Sequence, residues 1–171
     1  DLDETAAFAR ALVDSGSKLE FDKPEVYDFH SMGGIPGNKI TPIVVSIVAS
    51  AGQYIPKTSS RAISSACGTS DFVEVFCNIY MSEWRMKEIV EDVGGTFAWG
   101  GSMDLAKADD LMINVESQLH INPRPKMIAS ILAKKMAAGS THLLMDIPMG
   151  PKSKVKTQED ADSYMHDFIE V

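Results

Sequence analysis

Val26-Tyr27-Asp28-Phe29-His30-Ser31-Met32-Gly33-Gly34-Ile35-Pro36-Gly37-Asn38-Lys39, followed by the apolar run Ile40-Thr41-Pro42-Ile43-Val44-Val45-Ser46-Ile47-Val48-Ala49-Ser50-Ala51, decides the fold class. A compact apolar run (26–29) predicts a buried strand. The glycine-rich loop behind it predicts a break, and the segment from about Thr41 to Ala51 predicts a helix. Strand, glycine loop and helix in that order open an α/β unit. The pattern then continues outward. Ile55 starts a second short extended stretch, followed by a helix over about 69–78 and another over 83–93 with Ser82 as N-cap. Phe97-Ala98-Trp99 predicts a strand, 104–110 a short helix, and 112–115 carries no clear period. Pro123 suits the first turn of a helix over about 124–138 closed by Gly139. Leu143 to Ile147 predicts a strand, and Thr157 caps a last helix to Val171 with Asp160 three residues on. Upstream, Ala6, Phe8, Ala9, Leu12 and Val13 recur at helical spacing over 3–16. Strands alternating with helices predict an α/β fold with a mostly parallel sheet flanked by helices.

The 171 residues carry a formal net charge of −8, with 44% hydrophobic and 23% charged residues. This is ordinary globular composition, which argues against intrinsic disorder. The acidic balance argues against DNA or an anionic membrane as main partner. The most apolar run, 40–52, is too short to span a bilayer and contains Pro42. Cys67 and Cys77 form no CxxC pair, so neither a disulfide scaffold nor a structural zinc site is expected. A reducing, cytoplasmic setting is the expectation. The acidic amphipathic stretch at 1–16 does not have the pattern expected of a signal or transit peptide. Both ends read as cut, so a longer protein is expected.

Four segments could carry chemistry. The first loop places His30, Ser31, Gly33, Gly34, Gly37 and Lys39 after a strand. Glycines there let backbone N–H groups approach an anion, though a ligand-free turn has the same composition. The loop is neither GxGxxG nor a P-loop. The second segment, Lys57, Ser59, Ser60, Arg61, Ser64, Ser65 and Thr69, gives two cations and five hydroxyls in thirteen positions. Such a set suits a phosphate, and equally a solvated serine-rich loop. In the third, Ser130 and Lys134 stand at i and i+4 on one helical face. The fourth, Gly150 to Lys154, again puts lysines after a strand. His120, His142 and His166 lack metal-ligand spacing, and Trp84 and Trp99 read as packing residues. No metal is expected.

Together HSMGGIPGNK (30–39), IPKTSSRAISSACGTSD (55–71), MIASILAKK (127–135) and DIPMGPKSK (146–154) resemble the thymidine/AMP phosphorylase family. SSRAISS and GGIPGN look like its archaeal AMP phosphorylase branch. The resemblance implies residues 1–20 as a helix of a separate, largely absent helical domain and 21–171 as the central α/β domain. It implies cleavage of the N-glycosidic bond of AMP, or of CMP or UMP, by inorganic phosphate, giving free base and ribose 1,5-bisphosphate. A thymidine or pyrimidine nucleoside phosphorylase and a non-catalytic nucleotide-binding homologue are the alternatives. The resemblance places phosphate at His30, Ser31, Thr41, Lys57, Ser59 and Thr69. It places the nucleotide at Gly34, Ser60, Arg61, Ala62, Ile63, Ser64, Ser65, Thr69, Ser130, Lys134 and Lys154. No cofactor is implied, since phosphate is a co-substrate. A homodimer of the full-length protein is expected, with no nucleic acid or membrane partner. Two positions depart from the family. Phe29 stands where a phosphate-facing lysine is usual, and Asn122 where the AMP branch carries an aspartate as proton donor. A carboxamide cannot serve as a general acid at neutral pH.

Overall fold

The structure is a computed structural model that describes residues 1–33, 35, 39–62 and 67–171. The strands are β1 (Tyr27–Ser31), β2 (Ile55–Ser59), β3 (Gly95–Trp99) and β4 (His142–Asp146). Every pairing is parallel. Tyr27 faces His142 through to Ser31 opposite Asp146, and Ile55 faces Gly95 through to Ser59 opposite Trp99. Among the described residues, backbone pairing between the two halves is one parallel bridge, Val26 to Tyr54, where the Tyr27 N–H donates to the Tyr54 carbonyl at 2.8 Å. The strands therefore follow the order β4-β1-β2-β3.

Beyond that bridge the ladder between β1 and β2 lapses, and buried backbone groups still need partners. Two lysines supply them. Lys57 Nζ donates to the Phe29 carbonyl at 2.6 Å. Lys135 Nζ donates to the Thr58 carbonyl at 2.9 Å and pairs with Asp28 Oδ2 at 2.9 Å.

Parallel neighbours need crossovers, and helices provide them. They are α1 (Leu2–Asp14), α2 (Ile40–Ser50), α3 (Thr69–Val73), α4 (Glu83–Val93), α5 (Lys107–Leu119), α6 (Arg124–Ala137) and α7 (Gln158–Glu170). Val45 of α2 packs on Phe29 and Ile55 beneath the sheet. Met86 of α4 joins Ala98, Leu105, Ala137 and Leu19 in a second cluster. Residues Ala9, Leu12 and Val13 of α1 meet Ala106, Ala129 and Ala133 in a third. The small alanines bring α1 directly against α6, so the helix within residues 1–20 shares a core with residues of the α/β portion. Gly139 ends α6 at φ +80°, and a Cβ there would lie 2.6 Å from the Leu19 carbonyl oxygen, so the turn requires glycine.

Two helices differ from the sequence expectation. The helix expected over 69–78 is confined to Thr69–Val73. The short helix expected at 104–110 and the unassigned 112–115 form one continuous helix, α5. Its buried residues are Asp109 and Glu116, while Leu111, Met112 and Val115 are exposed. Hydrophobic periodicity cannot find a helix whose inward face is acidic.

Candidate active site

A parallel sheet gathers the loops at its carboxyl ends on one edge, and α6 runs alongside that edge. His30 lies near the end of β1, Ser59 ends β2 with Ser60 directly after it, and Lys154 sits in the loop after β4. On α6, Lys126, Ser130 and Lys134 recur every four residues along one face. Ile113 and Glu116 of α5 face them. These side chains, with Thr58, Asn122, Met127, Ile131 and Lys135, line an open cleft of about 100 Å³. A second cleft of about 340 Å³ shares Ser60, Ile113 and Lys134 and adds Arg61, Ala62, Trp99 and Asp110.

Candidates from five separate segments thus meet. His30, Ser59, Ser60, Asn122, Ser130, Lys134 and Lys154 line the first cleft. Arg61 and Ala62 line the second. Thr41 is buried in the first turn of α2, outside both linings. Thr69 opens α3, half-buried, also outside them. The Ser31 hydroxyl accepts from the Gly33 N–H at 3.3 Å. Gly34, Ile63, Ser64 and Ser65 lie outside the described residues. Among the described residues, no cluster of three His, Cys, Asp or Glu side chains could hold a metal.

The position of Phe29 corrects the sequence expectation of a gap in a phosphate cradle. Successive side chains on a strand point to opposite faces. His30 faces the cleft, so Phe29 faces the core, packed on Val45 and Ile55. Lys57 is likewise interior: it is 2% exposed, with its ammonium on the Phe29 carbonyl. Burial, then the neighbouring Lys135, pushes its pKa well below the usual lysine value.

His30 Nδ1 is buried without a hydrogen-bond partner among the described residues. Burial, then Lys57, Lys135 and Lys154, holds the imidazole well below its usual pKa, so it is neutral at pH 7. Burial also lowers Lys154. At this edge of the cleft His30 is therefore a neutral imidazole, and Lys154 has no paired carboxylate among the described residues. Ser59 Oγ shares a hydrogen bond with Ser70 Oγ at 2.8 Å, which ties the end of β2 to α3.

Arg61 is fully engaged. It makes two hydrogen bonds to Glu74 at 2.6 and 2.7 Å, one to Asp71 at 3.1 Å and one to the Tyr80 hydroxyl at 2.6 Å. Its guanidinium also lies 5.2 Å over the Trp99 ring. Asp71 accepts from the Ala62 and Gly68 N–H groups at 2.9 Å each. Arg61 thereby fastens the segment after β2 and presents its stacked face to the second cleft.

Sequence reading missed the charges between α5 and α6. Lys126 Nζ lies 3.1 Å from Asp109 Oδ1 and 2.6 Å from Glu116 Oε2. Lys134 Nζ lies 2.5 Å from Asp110 Oδ1 and 3.3 Å from Asp109 Oδ2. The Ser130 hydroxyl donates to Asp109 Oδ2 at 2.7 Å. Burial raises the Asp110 pKa against the opposing pull of Lys134. The one signal available was the i, i+4, i+8 spacing of Lys126, Ser130 and Lys134. It fixes a face of α6 but says nothing of the acids on α5.

The segments that build this cleft fall within residues 23–165, which match the sequence pattern of the glycosyl transferase family, a/b domain. The chain belongs to that family. This glycosyl transferase a/b domain is 51% identical over all its 171 residues to the AMP phosphorylase of Pyrococcus furiosus, covering 34% of that protein. It is 48% identical over the same span to AMP phosphorylase 1 of Archaeoglobus fulgidus, covering 34% of it. With the AMP phosphorylase of Pyrococcus abyssi it shares 53% over 160 residues, 94% of this chain and 32% of that one. The chain thus spans about a third of the length of these relatives. The resemblance to the archaeal AMP phosphorylase branch stands on these matches. Among solved structures, anthranilate phosphoribosyltransferase from Thermus thermophilus superposes with a TM-score of 0.67 at 19% identity, over 96% of this chain and 48% of that one. That likeness concerns the fold, a parallel sheet flanked by helices.

Proposed function

We propose that this domain binds a nucleoside 5′-monophosphate and inorganic phosphate in an enzyme that splits the N-glycosidic bond, with AMP as substrate. A phosphate oxygen attacks C1′, the bond from C1′ to the base breaks, and the base departs with a proton. The products are adenine and ribose 1,5-bisphosphate. The observation that carries this reading is the convergence of His30, Ser59, Ser60, Ser130, Lys134 and Lys154 on one cleft, in a chain about half identical to AMP phosphorylases.

The residue types suit the task. Hydroxyls and a neutral imidazole N–H donate to a phosphate without requiring a buried counter-ion of their own. Positioning phosphate below C1′ converts attack into an effectively unimolecular step. Lys154, exposed at the rim of the cleft and without a paired carboxylate among the described residues, gains a partner when a 5′-phosphate arrives. Asn122 lines the same cleft and donates only a hydrogen bond, here to Met127 Sδ at 3.8 Å.

The test uses the full-length protein. Adenine release from AMP with phosphate is followed by chromatography, with thymidine as the competing substrate. Calorimetry should show AMP bound at least ~10-fold more tightly than adenosine, the effect of one charge-assisted contact. Lys154→Met should remove that preference. Equal affinities in the wild type would rule out a 5′-phosphate site.

A further inference from the structure

Glu116 is only 6% exposed, yet it lines the cleft one helical turn beyond Ile113. Its Oε2 lies 2.6 Å from Lys126 Nζ, but no donor is aligned on that oxygen for a hydrogen bond among the described residues. Asp109 shares the same ammonium, and its Oδ1 likewise has no aligned donor among the described residues, but its other oxygen is supplied. Ser130 and Lys134 both reach its second oxygen. One ammonium therefore serves two buried carboxylates, and the one facing the cleft has acceptor capacity left over.

On the reading of the cleft given above, we infer that Glu116 selects the base, accepting a hydrogen bond from the exocyclic amino group of adenine or cytosine. Ile113, Met127 and Ile131 supply apolar surface for a flat ring, and His30, Ser59 and Lys154, from the ends of the strands and the loop after β4, line the same cleft with groups that suit an anion. An ionised carboxylate can only accept. A base presenting an oxo group at the corresponding position would bring a lone pair to Glu116 and leave both groups unpaired. Lys126 cannot rescue that base, because Asp109 and Glu116 hold its ammonium and its side chain is 13% exposed.

The experiment compares AMP with IMP, and CMP with UMP, in the full-length protein. The wild type should prefer the amino-bearing member of each pair by at least ~10-fold in kcat/KM. Glu116→Gln, whose amide can both donate and accept, should bring each ratio close to parity. Equal kcat/KM within both pairs in the wild type, or ratios unchanged in E116Q, overturns the inference while leaving AMP phosphorolysis intact. If none of the four is turned over, the phosphorylase reading falls, and calorimetric binding decides this one. A preference for AMP over IMP that E116Q abolishes supports it, and equal binding refutes it. Should E116Q not fold, Glu116→Asp keeps the pair with Lys126 but withdraws the carboxylate by one methylene. The ratios must then narrow, and unchanged ratios refute the assignment.

Discussion

Lys135 holds the two halves of the sheet together, and Lys135→Met measures how much. Its ammonium sits 2.9 Å from Asp28 Oδ2, donates to the Thr58 carbonyl at 2.9 Å and reaches Thr58 Oγ1 at 3.3 Å. The residue is 4% exposed and Asp28 is 3% exposed. Removing one partner of a buried pair leaves an uncompensated charge, which costs ~3–5 kcal/mol. Relief of Lys57 works the other way. It is the smaller effect, because burial rather than Lys135 is the main cause of the lowered Lys57 pKa. With a urea m-value of ~1–3 kcal/mol/M, the unfolding midpoint should fall by at least ~1 M. Trp84 and Trp99 fluorescence reports the transition in the 171-residue chain. Lys18→Met is the control. Its pair with Asp14 has a comparable distance, 2.7 Å, but side chains 51% and 70% exposed, so ~0–1 kcal/mol is expected. Asp28→Asn in the Lys135→Met background should recover part of the loss, with the remainder belonging to the Thr58 carbonyl. A Lys135→Met cost no larger than the Lys18→Met cost would refute the reasoning.

Three further outcomes follow from the site. In the full-length protein, Asn122→Asp should raise kcat for AMP by at least ~10-fold, the lower part of the range for general-acid catalysis, and the gain should fade as pH rises; an unchanged kcat would assign the proton to another group. Burial and three lysines keep folded His30 neutral where the unfolded chain binds a proton, so stability falls as pH drops below about 6.5, by at most ~1.4 kcal/mol per pH unit. His30→Gln should flatten the slope of unfolding free energy between about pH 6.5 and 5, and an identical slope would contradict the lowered imidazole pKa. Phe29→Lys should destabilise the chain by at least ~3 kcal/mol without tightening phosphate binding, because position 29 faces Val45 and Ile55; a folded variant with stronger phosphate affinity would show that the side chain can reach the cleft.

Much of the architecture was legible locally. The apolar run at 26–29 with its glycine loop, the Ser82 cap and the Thr157 cap all lie where the sequence places them, with Ser82 and Thr157 accepting from the N–H groups of Arg85 and Asp160. The site was legible as loops but not as a geometry. The Ser130 and Lys134 face was found from spacing, and its partners Asp109 and Asp110 were not, since they lie 21 and 24 residues away.

By itself, the sequence determined the order of strands and helices, the glycine and hydroxyl loops after the strands, and hence the α/β class. Hydrophobic period, caps and turn residues act over a few positions, so they are readable from a single chain. Tertiary structure alone decided that α5 turns its acids inward, that Phe29 belongs to the core, and that Lys57 and Lys135 replace a missing backbone ladder. Lys135 meets Thr58 across 77 residues. A buried charge is tolerated only where its partner lies, and that partner is fixed by how the strands and helices pack rather than by any pattern along the chain.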